Sequence, residues 1–338
     1  MLEIKGDYLE GGGQIIRTSL ALSLITQKPF TITNIRKGRK EQGLKEQHLQ
    51  TVRAAAKLCN AKVEGDKLHS TELSFTPRKI TNTNLEINIS TAGSTALILQ
   101  SLLIVGTHHN LNIHIKGGGT WNKNASSIQY FQKVLIPILQ KMNYNINIDL
   151  INHGFYPKGG AELKITTRKT SLKPLQLTER GTLNPIKCFS HASESLKKRN
   201  VAERQSETAK KTLKDYNLII CNKYFPSFSL GSGILLTAEF ENTILGFDVV
   251  GEKRKTAEQV GQEAALGLLK QINSEAALDE FMSDQILPYL ALAKEKSQIK
   301  IPHLTRHAET NIWLIKQFLN ADFRIKDKVI YVNSKLEE

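Results

Sequence analysis

Cysteine is scarce in this chain, and the few cysteines stand alone. Cys59, Cys188 and Cys221 are the only three in 338 residues, and no two of them form a CxxC pair. Disulfide frameworks and cysteine-based zinc sites need paired or closely spaced cysteines, so the sequence argues against both. Isolated thiols are typical of a reducing compartment, and we expect a cytoplasmic protein.

Long apolar runs are also missing. The longest, Thr95–Val105, is interrupted by Gln100 and is shorter than the roughly 20 residues that a membrane-spanning helix needs. The segment Met1–Asp7 lacks the basic start and the apolar core of a signal peptide. We therefore expect no contact with a membrane.

Acidic residues are outnumbered by basic ones, 32 against 46, which gives a net charge of +14. Such an excess favours a polyanionic partner. The alternative is a protein from an organism with a basic proteome, so charge alone does not identify the partner. The composition is otherwise that of a globular protein, and the length suits two domains or one large domain with an insertion.

Glycine is concentrated in short segments that precede helices. The first, Glu10–Arg17, holds three consecutive glycines and runs into a helix predicted over residues 15–25. Exposed amides at a helix start favour an anion, although a tight structural turn explains the glycines equally well. The segment is neither a Rossmann fingerprint nor a P-loop, because no Lys-Ser/Thr follows.

A basic segment follows the next predicted strand, Phe30–Ile35. It contains Arg36 and Arg39 and leads into a helix start that carries Gln47 and His48. Cations at the end of a strand suit contact with phosphate. The alternative is a solvated basic loop, which is the commoner reason for such a run.

Helix-then-strand units recur along the chain. Glycine-rich openings precede predicted helices at 95–105 and 127–142, and a last helix near 307 is followed by two short strands. The pattern predicts α/β layers built from repeats, with the glycine-rich openings near one edge. No such unit occurs between about 181 and 274. We predict an inserted α+β domain at 181–274 and a discontinuous main domain at 1–180 and 275–338.

His307 lies where a loop turns into the last helix. A strand-like run, Gln298–Ile301, precedes the loop, and Ile312, Ile315 and Phe318 follow at helical spacing. An imidazole at such a junction can face a cleft. A lone histidine is more often a surface or satisfied core residue, so position alone does not make it catalytic.

Several of these segments together resemble the RNA 3'-terminal phosphate cyclases. The resemblance covers almost the whole chain in family order, and its most specific part is His153-Gly-Phe-Tyr-Pro-Lys-Gly-Gly160. The other matching segments are Glu10–Arg17, Ile35–Arg39, Gln47–Leu49, Ala92–Gln100, Gly118–Asn122, Val250–Arg254, Asp284–Pro288 and His307–Ile312.

The resemblance implies a fold and a reaction. The fold is α/β (α+β), a main domain of three βαβαββ-like units similar to enolpyruvyl transferases with a smaller inserted α+β domain. ATP adenylylates a histidine, AMP passes to an RNA 3'-phosphate, and the neighbouring 2'-hydroxyl expels AMP to leave a 2',3'-cyclic phosphate. A neutral imidazole suits the first step, because a lysine is mostly protonated near neutral pH. RNA 3'-phosphate ends, ATP and Mg²⁺ or Mn²⁺ are the expected partners, and the oligomeric state stays open, a homodimer included.

The resemblance also implies roles for individual residues. His307 is the expected nucleophile, Glu10 the expected carboxylate for the divalent cation, and Asp284 is expected to orient His307 through its second ring nitrogen. The nucleotide-site positions are Gln100, Phe281, Met282, Ser283, Asp284 and Gln285, and the RNA phosphate positions are Arg17, Arg36, Arg39, Gln47 and His48. Adenine is expected between Phe281 and residues 125–127, where family members often carry a tyrosine and a proline-rich turn.

Three other functions remain open on the sequence. A cyclase-like ribosome-assembly protein, non-catalytic or RNA-cleaving, resembles the fold but lacks the catalytic histidine, so His307 argues against it. An enolpyruvyl transferase binds small anions without an adenylylated intermediate, and the segment beginning at His153 disfavours it. A plain RNA-binding module retains no AMP when it is incubated with labelled ATP.

Overall fold

The first of four small sheets is built from the N-terminal 76 residues. The computed structural model describes residues 1–334, a mixed α/β protein in which each sheet has four strands. The elements of the first sheet and its helices are β1 (Leu2–Lys5), α1 (Gln14–Thr26), β2 (Phe30–Thr33), α2 (Glu46–Cys59), β3 (Lys62–Glu64) and β4 (Leu73–Thr76). The strand order is β1-β2-β4-β3.

The second sheet follows directly and has the order β5-β6-β8-β7. Its elements are β5 (Asn84–Ser94), α3 (Thr95–Val105), β6 (Asn112–Gly119), α4 (Ile128–Tyr130), a π-helical turn (Phe131–Leu135), α5 (Ile136–Lys141), β7 (Ile146–Asn152) and β8 (Glu162–Thr167). The side chains of α3 are apolar around almost its whole circumference, so α3 lies inside the core rather than on its surface.

Along the chain, the short strand β9 (Gln176–Leu177) of the third sheet is followed by a separate sheet before the third sheet resumes. The elements of the separate sheet are β10 (Leu183–Ser193), a 3-10 helix (Glu194–Arg199), α6 (Val201–Thr212), β11 (Leu218–Phe225), β12 (Ser232–Phe240), β13 (Ile244–Val250) and α7 (Ala257–Asn273). The strand order is β11-β10-β12-β13, and α6 and α7 pack together on the sheet.

The third sheet completes the chain. After β9 its elements are α8 (Met282–Gln285), α9 (Leu287–Leu292), β14 (Ser297–Lys300), α10 (Arg306–Phe318), β15 (Ala321–Lys326) and β16 (Val329–Ser334). The strand order is β15-β16-β14-β9. In this sheet and the first two, the strand that comes first in the chain pairs in parallel with the strand that comes second: β1 with β2, β5 with β6, and β9 with β14. The remaining pairs are antiparallel. The predicted α/β architecture is confirmed, and a repeat origin stays a prediction.

Two hydrophobic cores divide the described residues. The larger core joins the three sheets that share one strand order, and within it α1 packs against both α3 and α10. The buried members of the smaller core all lie between Ile186 and Ile272. The inserted sheet meets the main body through glycines, since a Cβ on Gly233 would lie 2.3 Å from the Trp121 ring. The boundaries at 181 and 274 stay a prediction.

No helix within residues 1–334 combines the length and the apolar character required to span a lipid bilayer.

Candidate active site

His307 is the second residue of α10. Thr305 caps this helix, because its hydroxyl oxygen accepts a hydrogen bond from the Ala308 N–H at 3.0 Å. The His307 side chain is 48% exposed, and it lines both a cavity of about 470 Å³ and a groove of about 1620 Å³. The imidazole therefore lies where the cavity and the groove meet.

Gln14, near the start of α1, holds His307 at two points. Its side-chain N–H donates to the His307 backbone carbonyl at 3.0 Å, and its Oε1 contacts Nδ1 of the imidazole. Because the carbonyl requires an amide donor, the acceptor Oε1 must face Nδ1, which then carries the ring proton. The prediction that Asp284 orients the ring is wrong, since Gln14 occupies that position. Nε2 is left as the unprotonated nitrogen.

The surroundings of His307 favour its neutral form. Burial lowers the pKa of the imidazole below its ordinary value, Glu10 opposes this effect, and Arg17 and Arg39 add to it. Nε2 lies 3.9 Å from Glu10 Oε1. A neutral imidazole with Nε2 unprotonated can act as a nucleophile near neutral pH.

One face of α8 and the start of α9 forms a wall of the cavity. Phe281, Asp284 and Gln285 line it, followed by Pro288. These positions are spaced i, i+3, i+4 and i+7, so they share one helical face. Met282 and Ser283 point the other way and are fully buried. Their side chains do not line the cavity, and their predicted contact with the nucleotide stays a prediction.

A chain of hydrogen bonds crosses the cavity between its main-body helices. Arg17 Nε donates to Gln100 Oε1 at 2.9 Å, and Gln100 Nε2 donates to Gln285 Oε1 at 3.1 Å. The Gln285 amide then reaches the Ser126 hydroxyl at 3.3 Å. The predicted residues Gln100 and Gln285 are thus brought together, and Arg17, predicted for RNA phosphate, also belongs to the cavity.

Burial shifts the pKa values of both Arg17 and Asp284. Burial lowers the pKa of Arg17 to about 10, and Asp284 partly opposes this change. Burial raises the pKa of Asp284 to about 7, with Arg17 acting in the opposite direction. Arg17 therefore stays cationic at neutral pH, whereas Asp284 is close to its midpoint of titration.

The loop 125–127 faces Phe281 only in part. Ala125 and Ser126 line the cavity. Ser127 is buried: its hydroxyl accepts from the Tyr130 N–H at 3.0 Å, and its own N–H donates to Asp248 at 2.6 Å. Ser127 therefore starts α4 and anchors the inserted sheet, so it is wrong to count it in the wall opposite Phe281.

The groove brings together the residues predicted for RNA phosphate. Glu10, Arg17, Arg36, Arg39, Gln47 and His48 all line it together with His307. Arg39 forms an ion pair with Glu10 and also donates to the Glu10 carbonyl at 3.2 Å. Arg36 donates to the Gly43 carbonyl at 3.1 Å. The guanidinium groups of Arg36 and Arg39 thus border the groove that His307 also lines.

His48 is held in the neutral state. It is buried, its Nδ1 accepts from the Lys45 N–H at 3.0 Å, and burial lowers its pKa to about 3. The proton must then reside on Nε2, which faces Gly13, where a Cβ would lie 2.2 Å away. Gly13 is therefore needed for close packing against His48, and His48 could offer a phosphate only a neutral N–H.

The donor set for a divalent cation is small. Within residues 1–334 no three histidine, cysteine, aspartate or glutamate side chains cluster in a way that could hold a metal ion. Within residues 1–334 Glu10 is the one carboxylate within 4 Å of a His307 ring nitrogen, and it also contacts Arg39. One carboxylate fits Mg²⁺ bound mainly through substrate phosphates and water, rather than a metal centre formed by protein side chains alone.

Gln14, Asn311 and residues of the insert belong to the site but were not assigned a role from the sequence. For Gln14 the only indication was its position inside the first glycine-rich segment. Asn311 links α1 to α8: it accepts from the Thr18 hydroxyl at 3.1 Å and donates to the Asp284 carbonyl at 3.0 Å. The insert also reaches the cavity, through Asp248 on β13 and Lys255 in the segment between β13 and α7.

Comparison with known proteins decides the family. A family model described as "RNA 3'-terminal phosphate cyclase" matches residues 8–325, which is most of the chain. The chain belongs to the RNA 3'-terminal phosphate cyclase family. Three relatives, each named RNA 3'-terminal phosphate cyclase, illustrate this. One from Sulfurisphaera tokodaii is 43% identical over 98% of both chains. One from Methanococcoides burtonii is 38% identical over 97% of both. One from Caldivirga maquilingensis is 43% identical over 95% of this chain and 94% of the relative.

Proposed function

We propose that this cyclase-family protein converts an RNA 3'-terminal phosphate into a 2',3'-cyclic phosphate at the expense of ATP. The observation that carries the proposal is the position of His307. Its free Nε2 lies between a cavity of nucleotide size and a groove bordered by guanidinium groups. One nucleophile can therefore contact a nucleotide on one side and a terminal phosphate on the other.

The reaction proceeds in three steps. Nε2 of His307 attacks the α-phosphorus of ATP, and diphosphate leaves, which produces a histidine–AMP phosphoramidate. An oxygen of the RNA 3'-phosphate then attacks the same phosphorus, and the imidazole leaves. Finally the 2'-hydroxyl attacks the terminal RNA phosphorus and loses its proton, and AMP leaves. AMP is the leaving group that makes closure of the strained ring possible.

The cavity suits ATP. Its volume of about 470 Å³ lies within the range of small-molecule sites. The Phe281 ring offers a face for adenine and is itself supported edge-on by Tyr130, at 6.3 Å between ring centroids. Gln100 and Gln285 supply amide groups beside it. Glu10 is the residue that would bind Mg²⁺ or Mn²⁺, and such a cation offsets charge on the triphosphate.

The groove suits the RNA end. Arg36 and Arg39 can bind a phosphate through paired N–H donors, which gives charge-assisted hydrogen bonds. Gln47 and the Nε2–H of His48 add neutral donors on the same wall. The three sheets with one shared strand order support the further proposal of three βαβαββ units similar to those of enolpyruvyl transferases.

The test uses an RNA oligonucleotide with a labelled 3'-phosphate. With ATP and Mg²⁺ or Mn²⁺, we expect the label to become resistant to phosphatase, as a cyclic end is, and we expect no conversion without ATP. His307→Asn should give no cyclic product, with or without ATP. RNA binding without conversion would favour a ribosome-assembly or RNA-binding role instead. Turnover of small phosphorylated acids without retained AMP would favour an enolpyruvyl transferase.

A further inference from the structure

Two loops meet at the rim of the groove, one from the main body and one from the inserted sheet. The first is His153–Gly160, and the second spans residues 226–231. The Lys158 N–H donates to the Ser229 hydroxyl at 3.1 Å. A Cβ on Gly160 would lie 2.4 Å from the Phe228 ring, so the absence of a side chain there allows the ring to pack on the first loop.

These loops expose large apolar side chains. Tyr156 is 79% exposed, Phe228 74% and Leu230 64%. Single exposed apolar residues are common on protein surfaces, but a contiguous group of them usually marks a binding site. Tyr156 and Leu230 line the same groove as His307. We call the three residues together the apolar platform.

Basic side chains accompany the apolar platform. Lys197, Lys198 and Arg199 are exposed on the 3-10 helix of the insert, and Arg199 lines the groove. Lys158 is exposed on the first loop. In the part of the chain that the structure describes, none of these four forms an ion pair, although several nearby cations such as Arg204 do. Their charges are therefore available to an anionic ligand.

We propose that the apolar platform binds the bases of the single-stranded RNA segment that precedes the 3'-terminal phosphate. Tyr156 and Phe228 stack on bases, Leu230 packs beside them, and Lys158 and the 197–199 cations contact the RNA phosphates. Exposed rings next to unpaired cations are the combination that single-strand-binding proteins use. The proposal rests on the proposed function for the nature of the RNA end, and it assigns a role to the inserted sheet.

The test measures RNA affinity directly, by fluorescence anisotropy without ATP, so that it does not depend on catalysis. The probe is a single-stranded 3'-phosphate RNA, and the proteins are the wild type, Tyr156→Ala and Phe228→Ala. We expect each variant to bind about five- to a hundredfold more weakly, as removal of a base-stacking ring does in single-strand-binding proteins. Tyr156→Phe keeps the ring and should restore most of the affinity. Tyr331→Ala is the matched control, because Tyr331 is 42% exposed but does not line the groove.

Two further arms make the result specific. With a dinucleotide 3'-phosphate the ratio of wild-type to variant affinity should fall towards one, because this ligand lacks most of the preceding RNA segment that the platform is proposed to bind. Replacing Lys197, Lys198 and Arg199 by glutamine should reduce the dependence of log affinity on log salt by about 0.7 for each RNA phosphate that these side chains neutralise.

Two outcomes would overturn the proposal: wild-type affinity in both alanine variants, or an equal loss with the dinucleotide. If the affinity is unchanged and the alanine variants form a smaller oligomer than the wild type, the platform is a self-association surface instead. The proposed function fails separately, if the wild-type protein retains no AMP from ATP while the affinity changes remain.

Discussion

Replacing the Gln14 side chain tests how His307 is prepared for attack. Gln14 forms one hydrogen bond to the His307 carbonyl and one contact to Nδ1. Gln14→Leu keeps a similar volume but removes both. A neutral hydrogen bond contributes about 0.5–1.5 kcal/mol, so the removal of two corresponds to about 1–3 kcal/mol. If the imidazole is then free to rotate, the rate of adenylylation should fall about five- to a hundredfold.

Gln14→Glu separates geometry from charge. The carboxylate still accepts at Nδ1, but it cannot donate to the carbonyl, and its negative charge favours the imidazolium. The pKa of His307, which burial lowers in the natural protein, should therefore rise. Because only the neutral imidazole attacks, the pH at which adenylylation is half-maximal should move upward in the variant.

The assay is the single-turnover transfer of labelled AMP from ATP to the protein, over a pH series and without RNA. Gln132→Leu is the matched control, because it also removes an amide hydrogen bond, to the Ile148 carbonyl at 2.9 Å, but Gln132 does not line the cavity or the groove. Labelling of Gln14→Leu at the wild-type rate would refute the positioning role. A pH profile of Gln14→Glu that superimposes on that of the wild type would refute the electrostatic reasoning.

Four other predictions concern the site. Arg36→Ala and Arg39→Ala should weaken RNA use by about 1.5–3 kcal/mol per charge-assisted bond. In Arg36→Ala, the rate of RNA cyclisation should fall more than the rate of AMP transfer from ATP to the protein, and an equal fall would assign this arginine to ATP. Ser126→Pro should improve ATP use or the preference for ATP over GTP in nucleotide competition. No improvement would show that this loop does not form the adenine wall. Ser127→Pro should instead lower the thermal midpoint, because proline removes the N–H that donates to the insert; an unchanged midpoint would contradict that contact. The pKa of Asp284 is raised to about 7, so the folded state binds more protons than the unfolded state between its ordinary pKa and about 7, and stability should fall with rising pH across that window. Asp284→Asn should flatten that dependence in melts at about pH 5 and about pH 8, and parallel curves would contradict it.

Local patterns predicted much of the secondary structure. The helix at Thr95–Val105 matches α3, and the helix predicted over 15–25 lies within α1. Both are continuous apolar segments with a clear beginning, so short-range periodicity is enough to locate them. Strands β3 and β4, of three and four residues, were not predicted.

The parts of the site that were missed depend on contacts between distant residues. Gln14 and His307 are 293 positions apart, and nothing in either local sequence indicates that they touch. Resemblance suggested the whole segment from Phe281 to Gln285 for the nucleotide. Of these five residues only Phe281, Asp284 and Gln285 line the cavity, so the assignment of Met282 and Ser283 to the nucleotide stays a prediction. Rotation about a helix axis becomes known only when the packing of its other face is known.

The most direct test asks which residue carries AMP. The protein is incubated with ATP labelled in the α-phosphate, digested under alkaline conditions, and the labelled peptide is identified by mass spectrometry. We expect acid-labile AMP on His307, full labelling in His303→Asn, and none in a folded His307→Asn. AMP on His303, on a lysine, or on a folded His307→Asn protein would contradict the assignment of His307 as the nucleophile.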